Sequence, residues 1–347
     1  MDMPEDGVNR RRFIRGAATA SAIGLAGCIG GGGGDEMQLR VGTSAGGTQD
    51  VGLAVERAVS QHSDELDYST VESPGYIGTL YRLDQDQFNA GITDNNSMSK
   101  AVEGRGDFED RGVDLIPYQG FAAFPYSIYI VARDDTDIET FDDLAGANVY
   151  PAEPGYSTRA TTLDVWSQDP TADVYDEMNI MDMGVSDAPG AMEEGRIDAA
   201  IAYGTPGVSY TGWVTEYDAR VDVHYVEPTD ALEQSADTYA GASSSRTPYE
   251  DWGLEQDIGT DEVFTWDLQV NYVFHPDASD DAVYELCRVV DEHNDTVNEA
   301  EDQFNDFEST EDMLGQALEG DDFPFHPGAV EYYQDNDAWD DSLPTPE

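Results

Sequence analysis

Two short turns carry the residues best suited to hold a ligand. They are Thr43-Ser44-Ala45-Gly46-Gly47-Thr48, after a strand-like run, and Pro154-Gly155-Tyr156-Ser157-Thr158, after a second one. Each is followed by a helix-like pattern. Such a turn presents hydroxyls and free backbone N–H groups at a helix N-terminus, where partial positive charge favours an anion. A carboxylate or phosphate could then be held from two sides. Each turn taken singly is better explained by chain reversal and helix capping; their matching positions favour a ligand site. Neither is a Walker loop, and the first lacks the full Gly-x-Gly-x-x-Gly pattern.

Catalytic groups are harder to find. His62, His224, His275, His293 and His326 show no zinc spacing, and there is no Gly-x-Ser-x-Gly elbow. With 73 acidic residues, neighbouring carboxylates occur everywhere and point to no acid–base pair. The absence of an Asp-x-Asp-x-Asp-Gly loop argues against a calcium site. The reading is therefore a binding protein with no catalytic residue, metal or cofactor.

The elements that position the turns alternate between strand and helix. Gln38 to Ser44 reads as a strand, and the helix from Thr48 to His62 has Val51, Ala54, Val55, Ala58 and Val59 at helical spacing. A strand at 67–72, a helix at 75–83, a strand from Phe88 ending at Asp94-Asn95-Asn96 and a helix to about Val102 complete the first series. Long strands at 125–133 and 268–275 flank a second series. That series comprises a strand at 147–153, a helix at 158–168, a strand at 180–183, a helix at 188–194 and a strand at 197–203. The segment from Val221 to about Trp266 reads as irregular and polar, and 279–300 as one helix with Cys287 on its core face. Repeated βα units imply parallel sheets covered by helices. Two such series joined by two long strands imply two lobes, a hinge and a cleft: residues 38–126 with 268–347, and residues 127–267.

The N-terminus reads as an address. Arg10-Arg11-Arg12-Phe13-Ile14-Arg15 followed by a short apolar run resembles a twin-arginine export signal, too short to span a bilayer. Leu25-Ala26-Gly27-Cys28 resembles a lipobox. Residues 1–27 are thus expected to be a leader, Cys28 a lipid-bearing anchor to the outer face of the cell membrane, and 28–37, with Gly30 to Gly34, a tether. A net charge of −57 repels nucleic acid and opposes compaction in dilute salt. Screening lengths of about 3 Å at 1 M salt remove that self-repulsion, so the charge fits a salt-saturated setting such as that of a halophilic archaeon. Cys28 and Cys287 are the only cysteines, so no disulfide is left to the exported chain.

Five runs, in order, bring a family into view. "LRVGTSAGGTQDVGLAV", "ESPGYIGTLYRLDQDQFNAGITDNN", "IYIVARDDTDIETFDDLAGANVYPAEPGYST", "AMEEGRIDAAIAYGTPG" and "FPFHPGAVEYYQD" resemble segments of the TAXI group of solute receptors that serve TRAP transporters. The similarity covers roughly residues 38 to 335. It departs from the family pattern at Asp94-Asn95-Asn96, at Tyr156 and at Ala152-Glu153. The resemblance implies an α/β, type II periplasmic-binding-protein fold, two-lobed, each lobe a mostly parallel sheet with flanking helices, joined by a two-strand hinge. It implies a monomeric receptor that closes on a small organic acid, glutamate-like or dicarboxylate, and delivers it to TRAP permease subunits. By position, Thr43, Ser44, Gly46, Gly47, Thr48 and Asn95 would meet the ligand from the first lobe. Tyr156, Ser157, Thr158, Tyr203 and Thr205 would meet it from the second, and Arg159 could either pair a carboxylate or join a surface acid. Tyr126 is expected in the core more than in the hinge, and His326 in a structural turn. A receptor for an ABC importer, an exported enzyme and an adhesive surface protein are the alternatives.

Overall fold

The computed structural model describes residues 37–254 and 256–346. The expected leader, Cys28 and all of the expected tether but Met37 lie outside the described residues. The first series runs β1 (Gln38–Ser44), α1 (Gly47–His62), β2 (Asp67–Ser73), α2 (Gly75–Leu83), β3 (Ala90–Asp94) and α3 (Asn95–Glu103). β4 (Tyr118–Arg133) leads to β5 (Asn148–Tyr150), α4 (Ser157–Trp166), α5 (Ala172–Glu177), β6 (Asn179–Ile180), α6 (Ala188–Glu193) and β7 (Ala199–Thr205). Then come β8 (Ser209–Tyr210), α7 (Gly212–Asp218), β9 (Val223–Tyr225), α8 (Asp230–Thr238) and β10 (Ser243–Pro248). β11 (Glu262–Phe274), α9 (Asp280–Glu292), α10 (Asn294–Asn298) and α11 (Pro327–Asp335) close the chain.

Most elements follow from local signals. α1 buries the stripe that its spacing predicts, and Gly52 within that stripe lets the helix approach Thr43 of β1, where a Cβ would stand 2.8 Å from the threonine methyl. Asp94 caps α3 by accepting from the Ser97 amide at 2.7 Å, and Gly104 at φ 61 ends the helix in the left-handed region that favours glycine. His326 caps α11 through Nδ1, which accepts from the Gly328 amide at 3.2 Å. Burial pushes that imidazole down to about 4, so the ring is neutral, a structural turn residue as its sequence context suggests. Cys287 is fully buried, and burial pushes its thiol up.

The expected α/β architecture is present, with a parallel set of strands in each series and helices flanking them, and the two sets are continuous in one sheet. The strands join in one mixed sheet in the order β2-β1-β3-β11-β4-β7-β5-β6. Pairing is parallel only on the flanks, between β1 and its neighbours β2 and β3 and between β5 and its neighbours β6 and β7. The centre is antiparallel, because β4 and β11 run in opposite directions and each pairs with a flank. These two strands serve two cores. Phe121 and Phe124 of β4 with Val270, Tyr272 and Phe274 of β11 pack beneath α1, α9 and α11. Ile128 to Ala132 of β4 with Val263, Phe264 and Trp266 of β11 pack against β5, β7 and α4. Tyr126, at the change-over, touches both, so its place is the junction and not the interior of either.

Two expectations fail. The segment read as irregular holds β9, α8, β10 and the start of β11. β10 gave no apolar alternation because its sequence is Ser-Ser-Ser-Arg-Thr-Pro; it joins the sheet by backbone pairing to β11, with Ser245 facing Thr265 hydroxyl to hydroxyl at 2.7 Å. The single helix expected at 279–300 breaks at His293, which stacks on His62 with centroids 3.6 Å apart. Beside the break, Asn294 is buried and donates to the Asn305 carbonyl at 3.0 Å while accepting from the Phe307 amide at 3.2 Å. Those bonds anchor the following loop, and a continuous helix would not direct the asparagine there.

Candidate functional site

A cavity of about 450 Å³ lies between the start of α2 and α3 on one side and the start of α4 on the other. From one side come the N-termini of α2 and α3, with Gly75, Tyr76, Asp94, Asn96, Ser97 and Lys100. From the other come Pro154, Gly155, Tyr156, Ser157 and Arg159 at the start of α4. Gly75 and Gly155 hold φ of 77 and 97 with open space where a Cβ would project, which lets both turns bend beside the cavity without side chains filling it. Tyr156, at the N-cap of α4, makes no side-chain capping bond, so the first-turn amides of a ten-residue helix have no side-chain cap.

The second of the two sequence turns therefore lines the cavity, and the first stands behind it. Thr48 holds the Tyr76 phenol, hydroxyl to hydroxyl at 2.9 Å, and Ser44 also lies beside that phenol. Burial pushes the Tyr76 phenol well up, so it stays protonated. Thr43 is fully buried toward α1. Gly46 accepts from the amides of Gln49 and Asp50, and a side chain at Gly47 would collide with the Gln303 carboxamide. Asn95 faces away, donating to the Gln316 carbonyl at 2.8 Å and accepting from Asn271 at 2.6 Å; its neighbour Asn96 is the one that lines the cavity.

On the opposite side Arg159 is engaged within its own half of the molecule. Its guanidinium donates to the Ala152 carbonyl at 2.8 Å, to the Met181 carbonyl at 3.2 Å and to Asp182. Thr205 donates to the Pro125 carbonyl at 2.9 Å and so braces β7 against β4. Tyr203 meets Tyr126 edge-on at 5.9 Å and is buried. The polar atoms of Thr158, Thr211 and Trp213 gather around its phenol, and none of the three closes a hydrogen bond.

Sequence reasoning missed the group that joins the two halves. Asp164 on α4 receives the Lys100 ammonium at 2.6 Å, the Asn96 amide at 3.0 Å, the Tyr239 phenol at 3.3 Å and one nitrogen of Arg105 at 3.5 Å. Arg105 also lies over the Tyr239 ring, 5.2 Å from its centroid. One signal was available: Lys100 is the only lysine in the chain.

Asp94, read from the sequence only as part of a strand end, also lines the cavity. It is 1% exposed, and burial pushes its carboxyl up to about 6 against the opposing pull of the Ser97 amide and hydroxyl, Lys100 and the Asn96 amide. Because the folded value lies above the ordinary 3.8, the charged carboxylate costs stability that is lost as pH rises through that window. An Asp94→Asn variant keeps an acceptor for the Ser97 amide and removes the charge. We expect it to unfold with up to about 2–3 kcal/mol more free energy than the native protein near pH 8, the difference vanishing toward pH 4. Urea titrations across that range check the prediction; a constant difference would contradict it.

Two wider hollows, of about 820 and 840 Å³, are lined by acids and carboxamides without a single Lys, Arg or His, and suit an organic anion poorly. Among the described residues no group of His, Cys, Asp and Glu is arranged to hold a metal ion, and no helix is long and apolar enough to cross a membrane.

Comparison with known proteins adds a family and a set of distant structures. A model of the NMT1-like family matches residues 39–336. The periplasmic aliphatic sulphonate binding protein SsuA from Escherichia coli is 14% identical, with 76% of this chain and 74% of that chain covered and a TM-score of 0.43. The probable amino-acid ABC transporter extracellular-binding protein YtmK from Bacillus subtilis is 12% identical, with 76% and 95% covered and a TM-score of 0.43. The alkanesulfonate-binding protein SsuA from Xanthomonas axonopodis pv. citri is 12% identical, with 90% and 97% covered and a TM-score of 0.39.

Proposed function

Since the chain belongs to the NMT1-like family, we propose that it is an extracytoplasmic receptor for a small organic solute, without catalytic turnover. The observation that carries this reading is the cavity itself, built half from the α2 and α3 N-termini of the first strand–helix series and half from the α4 N-terminus of the second. A ligand there touches both halves at once, so binding favours the closed arrangement in proportion to contacts that the open one lacks. β4 and β11, the two strands shared by the cores, are the hinge in this reading. The uncapped start of α4, with Ser157 beside it, takes a carboxylate of the ligand.

Delivery to a membrane permease completes the function. The partner suggested by the sequence resemblance is a TRAP permease, and the anchor is lipid on Cys28 at the outer face of the membrane after export in the folded state, in a salt-rich medium. An ABC importer is the second reading; the two differ in that a TRAP receptor gene neighbours a large multi-spanning permease without an ATPase. The receptor reading is tested by thermal unfolding in high salt against a panel of organic acids and amino acids. A true ligand at a hundred times its Kd adds about 2.7 kcal/mol of stability. A panel in which no compound raises the melting temperature argues against it.

A further inference from the structure

The charges around the cavity narrow the solute. Two cations line it, Lys100 and Arg159, and both are committed: Lys100 to Asp164, Arg159 to two carbonyls and Asp182. A dicarboxylate would have to break one of these pairs to find a counter-charge for its second group. Asp94 is in the reverse position. Its carboxylate is buried at the cavity wall and accepts from the Ser97 amide at 2.7 Å and hydroxyl at 2.9 Å, with the Asn96 amide beside it, whereas a carboxylate offers about four acceptor sites. Lys100 acts on it from a distance without closing an ion pair. A buried carboxylate with spare acceptor capacity and no protein cation in contact is costly unless something else supplies the charge. Tyr76 lines the same cavity, and an aromatic ring there can attract a cation.

We infer that the solute carries an amino group that docks on Asp94 beside Tyr76, its carboxylate lying at the uncapped N-terminus of α4, so that the receptor takes a zwitterionic, amino-acid-like compound and rejects the corresponding plain acid. This inference rests on the receptor reading above. It makes Asp94 the residue that decides between a glutamate-like ligand and a dicarboxylate.

The test uses matched probes with and without the amino group: L-glutamate against glutarate, L-aspartate against succinate and L-leucine against 4-methylpentanoate, titrated calorimetrically into the whole protein in high salt. In at least one pair the amino acid should bind at least about tenfold more tightly than its partner. Asp94→Asn, which preserves the helix cap, should reduce that preference to about twofold or less, and Asp94→Ser, also a capping residue, should do the same. Binding of a plain acid as tight as its amino acid, or a preference that survives both variants, overturns the inference and leaves the receptor reading intact. If no member of any pair binds, the receptor reading fails and the inference falls with it.

Discussion

An Asp164→Ala variant will unfold with about 3 kcal/mol less free energy than the native protein, because it leaves the Lys100 ammonium unpaired in a site with little water. The Lys100 side chain is 10% exposed and that of Asp164 21%, so solvent cannot fully replace the lost partner. The carboxylate also receives Asn96, Tyr239 and Arg105, and all four donors lose an acceptor together. Asp164→Asn, which keeps a carbonyl oxygen for Asn96 or Tyr239, will lose less. Added salt will not restore the alanine variant, since a partly buried pair is screened far less than a surface one. Denaturant titration in high salt measures the loss; a change under about 0.5 kcal/mol would mean that this cluster is an ordinary surface pair. In the proposed receptor the function is touched too, because the cluster joins α3 to α4 beside the cavity and its removal should favour the open form that the proposal invokes.

The larger loss is expected at Trp266. This side chain is 1% exposed on β11, meets Trp166 edge-on at 6.0 Å and donates its indole N–H to Thr162 on α4 at 3.1 Å. Trp266→Ala will remove about 3–5 kcal/mol. Trp266→Phe keeps much of the ring packing but leaves the Thr162 hydroxyl without its donor, a loss of about 1–2 kcal/mol. Both values are read from equilibrium unfolding, and equal losses in the two variants would show that the hydrogen bond, and not the packing, carries the effect. Since the same tryptophan ties α4 to the sheet, the alanine variant should also weaken any ligand held at the start of that helix.

What the sequence disclosed about this site depended on whether the signal was local. The stripe of α1, the glycine turns and the strand cores were legible because periodicity and turn chemistry are properties of neighbouring residues. The second turn is legible in this way, and its residues Pro154 to Ser157 line the cavity while Thr158 lies against the Tyr203 phenol. The first turn was found too, but whether it touches the ligand or supports Tyr76 depends on how α2 packs, which no local pattern reveals. Asn95 and Asn96 differ only in the direction that one helical step gives them, so naming one in place of the other was a matter of register. Asp94 sits at the junction of a strand and a helix, where an acid has an ordinary capping role, and Asp164 was one acid among 73. β10 was invisible because an edge strand of serines joins a sheet through its backbone and leaves no hydrophobic trace.

The central claim is that the cavity between the α2 and α3 N-termini and the α4 turn holds one small organic solute. Native mass spectrometry of the folded protein, equilibrated in high salt with a mixture of amino acids and organic acids and transferred gently to the gas phase, tests it most directly. We predict a single additional mass per chain, corresponding to one small molecule, that disappears when Gly155→Val fills the turn beside the cavity. The bare chain as the sole species, under conditions where the protein remains folded, would contradict the account.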